Sequence, residues 1–285
     1  MNAAPPTLNL SAIRHDTSDL EVSGNIPGVP TGSTRFIAYD ELLRLPQVSF
    51  KVAKDDDNFE SGFPSPTVVS GVSLETLART LSVSLAEQMP VALCSDGYRA
   101  NYPTEYIAAH HPVLVLRING QPPSKWPQSH YGDSMSPYLI SHDNFKSSFR
   151  ILSHEDEPQV PYAVVNIEFR NEHDTFAAIA PPGHYAPDSP EMEGYRIVKQ
   201  NCFRCHNNGT AGGTMSHHPW QVLAAWAAYQ PDYFTQYVLA PASLRKNARM
   251  PGNPQYDQST IDAIRRYFVS FAATPNPSPK GRQGQ

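Results

Sequence analysis

Apolar positions in the last third of the chain recur at helical spacing. In "STIDAIRRYFVSF" the residues Ile261, Ile264, Phe268 and Phe271 share one face, while Asp262, Arg265 and Arg266 lie off it, which predicts an amphipathic helix. "EMEGYRIVKQN" predicts a shorter helix whose Gly194 permits a close helix crossing beside Tyr195. Between them "HPWQVLAAWAAYQPDYFTQYVLAP" predicts one or two more, with Trp220, Trp226 and Phe234 as walls of a cofactor pocket or of the core. Upstream the pattern changes. "TRFIAYDELLRLP" reads as a strand and a short helix, "VSFKVAK" as a strand, and "GVSLETLARTLSV" as a helix with Val72, Leu74, Leu77, Ala78 and Leu81 inward. "PVALCSD" and "PVLVLRING" read as strands flanking a helical "PTEYIAAH", and "VPYAVVNIEFRN" as an alternating strand. Strands mixed with segregated helices predict an α+β fold rather than a doubly wound sheet.

These patterns divide the chain. At 285 residues it is long enough for two domains. Residues 180–190, "APPGHYAPDSP", carry four prolines and a glycine between periodic segments, the composition of a semi-rigid linker. The expected division is an α+β domain over 1–179, the linker over 180–190, an all-α domain over 191–274 and a disordered tail over 275–285. No internal repeat is evident, and no apolar run approaches the roughly 20 residues that span a bilayer.

"NCFRCHNNG", residues 201–209, holds two of the three cysteines with a histidine directly after the second. A redox dithiol needs no such histidine, and a structural zinc needs four ligands. His217 and His218 could complete a Cys2His2 set by count. Haem explains more of the pattern: Cys202 and Cys205 would form thioethers with the porphyrin, which holds His206 under the iron as its proximal ligand. A sixth ligand should then arrive on a loop. "ARMPGNPQYD" supplies Met250, 44 residues after His206, between residues that stiffen and turn the chain. Its rivals are His217 and His218, which would give a bis-histidine haem. With the motif and the Met-Pro stretch in this order, the region resembles a class I cytochrome c domain. That resemblance implies one covalent haem c, with His206 and Met250 as axial ligands.

Thioether attachment takes place outside the bacterial cytoplasm, so a c-type haem implies a periplasmic or otherwise exported protein. "MNAAPPTLNLSAIRH" has neither a basic nor an apolar leader region, and the expectation is that a signal segment has been removed. With two cysteines committed to haem, Cys94 is left over, and disulfides are not what holds the first domain together.

In the first domain, "GVSLETLART", then "ALCSDGYRANYPTEYI", then "HPVLVLRINGQP" before a proline-rich segment resemble the molybdopterin-binding fold of the sulfite oxidase family. Members carry a similar Asp-Gly-Tyr turn and Asn-Gly hairpin, and the likeness covers roughly residues 35–170. That family ligates molybdenum through a cysteine preceding the "GVSLETL" type of helix. Here the corresponding "SFKVAKDDDNFESGFPSPTVVS" contains none, and Cys94 follows the helix instead. Arg99, Arg117 and Lys125 are few for a pterin phosphate, and no Gly-rich phosphate loop replaces them. The expectation is a fold kept without molybdopterin.

Other constellations carry less. Asp55–Glu60 lacks the spacing of a calcium loop. His110 and His111, adjacent on a helix, point in different directions. The Ser, His and Asp of "HYGDSMSPY" have no nucleophile elbow around them, and no catalytic residue is assigned. Charge is polarised: residues 190–285 hold ten Lys or Arg against five Asp or Glu, the remainder 12 against 22. Such a basic domain suits an acidic redox partner, with Arg245, Lys246 and Arg249 flanking Met250, and nothing suggests nucleic-acid binding. The sequence reads as an exported monohaem electron carrier with an N-terminal docking or recruitment domain, meeting a redox partner or a larger periplasmic or membrane-associated complex. Its rival is a haem-coupled molybdenum oxidoreductase of the sulfite dehydrogenase type. A gas- or peroxide-binding haem would need the sixth position open, against Met250.

Overall fold

The computed structural model describes residues 8–52, 67–129, 132–143 and 158–272, and the chain divides into two compact units. One holds the described residues through Ala177 together with Gly212–Met215; the other holds Ala178–Ala211 and the described residues from Ser216 onward. Asp55–Glu60, His130 and the tail 275–285 lie outside the described residues.

The first unit is mixed α/β on a curled sheet. In chain order it runs β1 (Leu20–Gly24), β2 (Arg35–Ile37), α1 (Tyr39–Arg44), β3 (Val48–Lys51), β4 (Val68–Ser73), α2 (Leu74–Thr80), β5 (Met89–Cys94), β6 (Arg99–Asn101), α3 (Thr104–His110), β7 (Val113–Ile118), β8 (Tyr138–Ser141), β9 (Tyr162–Arg170) and α4 (Glu172–Ala177). The strand order is β2-β1-β9-β8-β7-β4-β3, with β5 also on β9 and β6 on β5. β9 makes this branching possible. Its first residues pair with β8, its later ones pair in parallel with β1, and β5 pairs along nearly its whole length. A register shift between Leu93 and Cys94 opposite β9 changes the phase of alternation, so Val164 before it and Ile167 and Phe169 after it join one core.

That core gathers Leu42 of α1, Leu77 and Ala78 of α2, and Tyr106 and Ile107 of α3 with the inward side chains of the sheet, Cys94 among them. A second cluster, of Phe50, Val69, Val113, Val115, Ile118, Met135 and Leu139, is separate from it. β7 serves both, sending Leu114 and Leu116 to the first and Val113 and Val115 to the second, as period-two alternation requires of a strand buried on both faces. Helix α2 starts at Leu74, capped by Ser73 Oγ accepting from Thr76 N at 3.1 Å. Val72 therefore lies on β4 and reaches the core from the sheet, where the apolar spacing had put it on the helix.

The second unit is mainly helical. It contains α5 (Pro190–Gln200), α6 (Trp220–Tyr229), α7 (Pro231–Leu239), α8 (Pro241–Leu244) and α9 (Gln258–Ala272). A two-residue ladder of β10 (Asn207–Asn208) on β11 (Ala211–Gly212) follows the motif in the chain. Ser189 caps α5 by accepting from Met192 N, with Pro190 at its first turn. Asp257 accepts from Thr260 N at the start of α9. Ile261, Ile264 and Phe268 are buried on α9. No helix among the described residues is long and apolar enough to cross a membrane.

Two outcomes follow from the packing. A Cβ on Gly194 would lie 2.2 Å from the carbonyl oxygen of Ala263, so Gly194→Ala forces α5 and α9 apart and should cost about 1–3 kcal/mol, read as a lower urea midpoint. In the first unit Tyr106 Oη accepts from Gln159 N at 2.8 Å and is hydrogen-bonded to His142 Nε2 at 3.0 Å. Burial, and then the neighbouring His110, push His142 down to about 3. Its folded value lies below its unfolded one, so its contribution is present near neutrality and is lost as pH falls from about 6.5 toward 3. Between pH 7 and pH 4 the wild type should lose of order 3 kcal/mol more than His142→Gln, measured by urea unfolding at the two pH values.

Candidate functional site

The motif occupies a single helical turn. Asn201 ends α5, a 3-10 turn runs over Cys202–Arg204, and the backbone N–H groups of Cys205 and His206 both donate to Cys202 O, at 3.2 and 3.0 Å. Residues i, i+3 and i+4 of such a turn share a face, which brings Cys202, Cys205 and His206 to one side. Arg204 braces the turn from behind, its Nε donating to Gln200 O and its guanidinium to Asn201 Oδ1 at 3.1 Å. Phe203 points the other way. It is buried, edge-on to Trp220 at 5.9 Å.

Trp220 is fully buried and is the hub of this core. Its Nε1 donates to Tyr267 Oη at 3.1 Å, and Tyr267 donates in turn to Ile179 O at 2.6 Å. Phe268 packs at 4.9 Å from the indole, and Phe234 at 5.7 Å from Phe268. Burial raises the Tyr267 phenol far above its ordinary range, so it remains a neutral donor.

His206 is buried, and its Nδ1 lies 2.6 Å from the carbonyl of His218. A carbonyl only accepts, so Nδ1 carries the proton and Nε2 keeps its lone pair. Among the described residues Nε2 has no hydrogen-bond partner. Burial holds the imidazole below its usual basicity, which keeps the ring neutral and suited to a metal. Cys202 and Cys205 are half-buried beside it.

His218 takes a role that the sequence had not suggested. It had entered as a candidate iron or zinc ligand; its carbonyl is the partner of His206, and its ring lies against Trp226 at 4.8 Å. His217 is exposed. No three His, Cys, Asp or Glu side chains among the described residues converge on one point, so the Cys2His2 set that counting permits is not assembled.

Met250 is half-buried in the irregular stretch after α8. That stretch is fastened to the end of α7: Asn253 N donates to Val238 O and Leu239 O at 3.2 and 3.1 Å, and Asn253 Nδ2 to Val238 O at 3.1 Å. Arg245, Lys246 and Arg249 are exposed on it. His218 is lowered by burial, then by the charges of Arg245 and His217. No hydrogen bond among the described residues ties Met250 to the Cys202–His206 turn.

Cys94 is buried in the first unit, at the end of β5. Arg99 is half-buried, and burial followed by the nearby Arg170 weakens its hold on its proton. His110 closes α3, and His111, in the left-handed conformation, joins Glu75 at 2.7 Å. His111 thus lies past the helix rather than on it, and the His110 ring packs instead against Tyr106 at 4.7 Å.

Among solved structures, the chain is similar to the sulfane dehydrogenase SoxCD from Paracoccus pantotrophus, at 12% identity and a TM-score of 0.34 over 57% of this chain. The match spans 41% of that chain, less than half its length. No family model matches the chain, and no curated protein matches it.

Proposed function

We propose that the chain is an exported monohaem electron carrier, with haem c joined to Cys202 and Cys205 and its iron held by His206 and Met250. The observation that carries this reading is the motif turn: two cysteines and a histidine on one face, with His206 Nδ1 committed to the His218 carbonyl and Nε2 left with its lone pair. Bound haem would supply a one-electron couple whose potential is set by its axial ligands and their hydrogen bonds. The protein's part is to hold and exclude. The two thiols would tether the group, His206 presents one nitrogen at a fixed rotation, and the aromatic core behind Phe203 and Trp220 keeps the turn from shifting. Met250 would offer a thioether, which favours the reduced iron. Export is supported by the same thioether chemistry.

The first unit acts in this reading as a docking or recruitment domain of sulfite-oxidase-like fold without molybdopterin. This is supported by residues 49–70, which contain no thiol, and by Cys94, which follows α2 rather than preceding it and lies in the core, unlike the soft sulfur donor that the metal takes in that family. The partner would be an acidic redox protein, alone or within a larger complex, meeting the cationic stretch around Met250.

Native protein purified from its own exported compartment should contain one iron per chain, resistant to extraction under denaturing conditions, and no stoichiometric molybdenum or tungsten. Met250→Ala should remove the weak absorption band at the red edge of the oxidised spectrum and lower the potential. One molybdenum per chain, lost in Cys94→Ser, would overturn the carrier reading in favour of a haem-coupled oxidoreductase. A spectrum untouched by Met250→Ala would pass the sixth position to His217 or His218.

Charge reversal at Arg245, Lys246 and Arg249 together should slow association with an acidic redox partner by on the order of tenfold at low salt. It should also flatten the dependence on ionic strength. Stopped-flow electron transfer across a salt series measures both, and equal rates for wild type and variant would remove electrostatic docking.

A further inference from the structure

The carbonyl that His206 uses belongs to the peptide between His218 and Pro219. Proline has no N–H, so this peptide cannot be anchored from its far side by a backbone donor. The hold comes from the preceding peptide, across the His218 Cα. His218 N donates to Ser216 Oγ at 3.1 Å, and Ser216 N donates to Cys205 O at 2.9 Å. With His206 Nδ1 donating to His218 O at 2.6 Å, the bonds form a closed circuit. It leaves the motif at Cys205, passes through Ser216 and the His218 peptide, and returns at His206. Besides His206 itself, Ser216 is the member of that path that contributes a side chain.

We propose that Ser216 is a positioning residue for the iron ligand: its hydroxyl fixes the peptide that enters His218, and through the His218 Cα it holds the next carbonyl where it meets His206 Nδ1, which sets both the orientation and the donor strength of the imidazole. This rests on the haem reading above. A histidine that donates its second N–H to a well-placed acceptor is a more basic ligand, and a more basic ligand favours the oxidised iron. Without the hydroxyl, the His218 N–H loses its acceptor, the backbone dihedrals at His218 are less restrained, and the Nδ1–H bond lengthens.

The full-length chain, produced with the haem-attachment machinery, allows the two ideas to be separated. Haem staining after denaturation reports on the haem reading. Hydrogen exchange at His206 Nδ1–H, followed by nitrogen-15 NMR in whatever form the wild-type chain is isolated, reports on Ser216. Ser216→Ala should speed that exchange by roughly fivefold or more, about the worth of one net hydrogen bond. In the haem-loaded protein it should also raise the reduction potential. Ser216→Thr, which keeps the hydroxyl, should restore both values. The pair Ser216→Thr and Ser216→Val has nearly the same shape and differs by the hydroxyl, so it gives the same comparison if Ser216→Ala does not fold. Exchange equal in the hydroxyl-bearing and hydroxyl-free variants would overturn the proposal, whether or not haem is attached.

Discussion

Helices α5 and α9 meet backbone to backbone where Gly194 faces Ala263, and the geometry of the second unit is built outward from that contact. The approach brings Tyr195 into a stack with Tyr267, with ring centroids 6.1 Å apart. Tyr267 is then placed to accept from Trp220 and to donate to Ile179, which fastens α6 and the incoming chain to α9. Trp220 supports Phe203, and Phe203 lies inside the motif turn. Since Asn201 alone separates α5 from Cys202, the turn is held from its preceding helix and from beneath by the same packed slab. A side chain at position 194 would disturb each of these steps in order.

The first unit depends on a different constraint, the length of β9. A strand of nine residues can serve β8 and β1 in succession on one edge while keeping β5 on the other. The local register shift lets both halves of the strand face one core. The unit contains polar groups in its interior as well, and they are stitched to one another. Tyr102 Oη donates to Gln159 O, and Tyr106 Oη links Gln159 N to His142. Satisfying such groups is the condition on which a buried polar cluster is tolerated.

Much of this was legible from side-chain spacing. The helical periods of "EMEGYRIVKQN" and "STIDAIRRYFVSF" locate α5 and α9, and the role of Gly194 follows from the absence of a Cβ between bulky neighbours. β1 was missed because "LEVSG" is short and gains its place by parallel pairing with a strand some 145 residues later, an interaction that leaves no local trace. Val72 was assigned to a helix because strand and helix run on without a break at Ser73, where a single side chain marks the boundary by capping. At the site, Cys202, Cys205 and His206 announce themselves by spacing. The part played by the His218 carbonyl does not, because a backbone oxygen carries no residue identity, and the signal available was Pro219 beside it. Ser216 is an ordinary serine in the sequence, distinguished by what its hydroxyl accepts once the chain has turned back.

The burial of Cys94 bears on the order in which the chain matures. The thiol closes β5 and enters the core together with Val164, its partner across the β5–β9 ladder, so it is withdrawn from solvent once β9 has docked. β9 ends at Arg170, 32 residues before Cys202. In a chain that folds from its N-terminus, Cys94 is sequestered before the motif pair becomes available. Mispairing between them is then restrained by the order in which the thiols emerge, and the two motif thiols meet whatever chemistry awaits them with their potential competitor already put away.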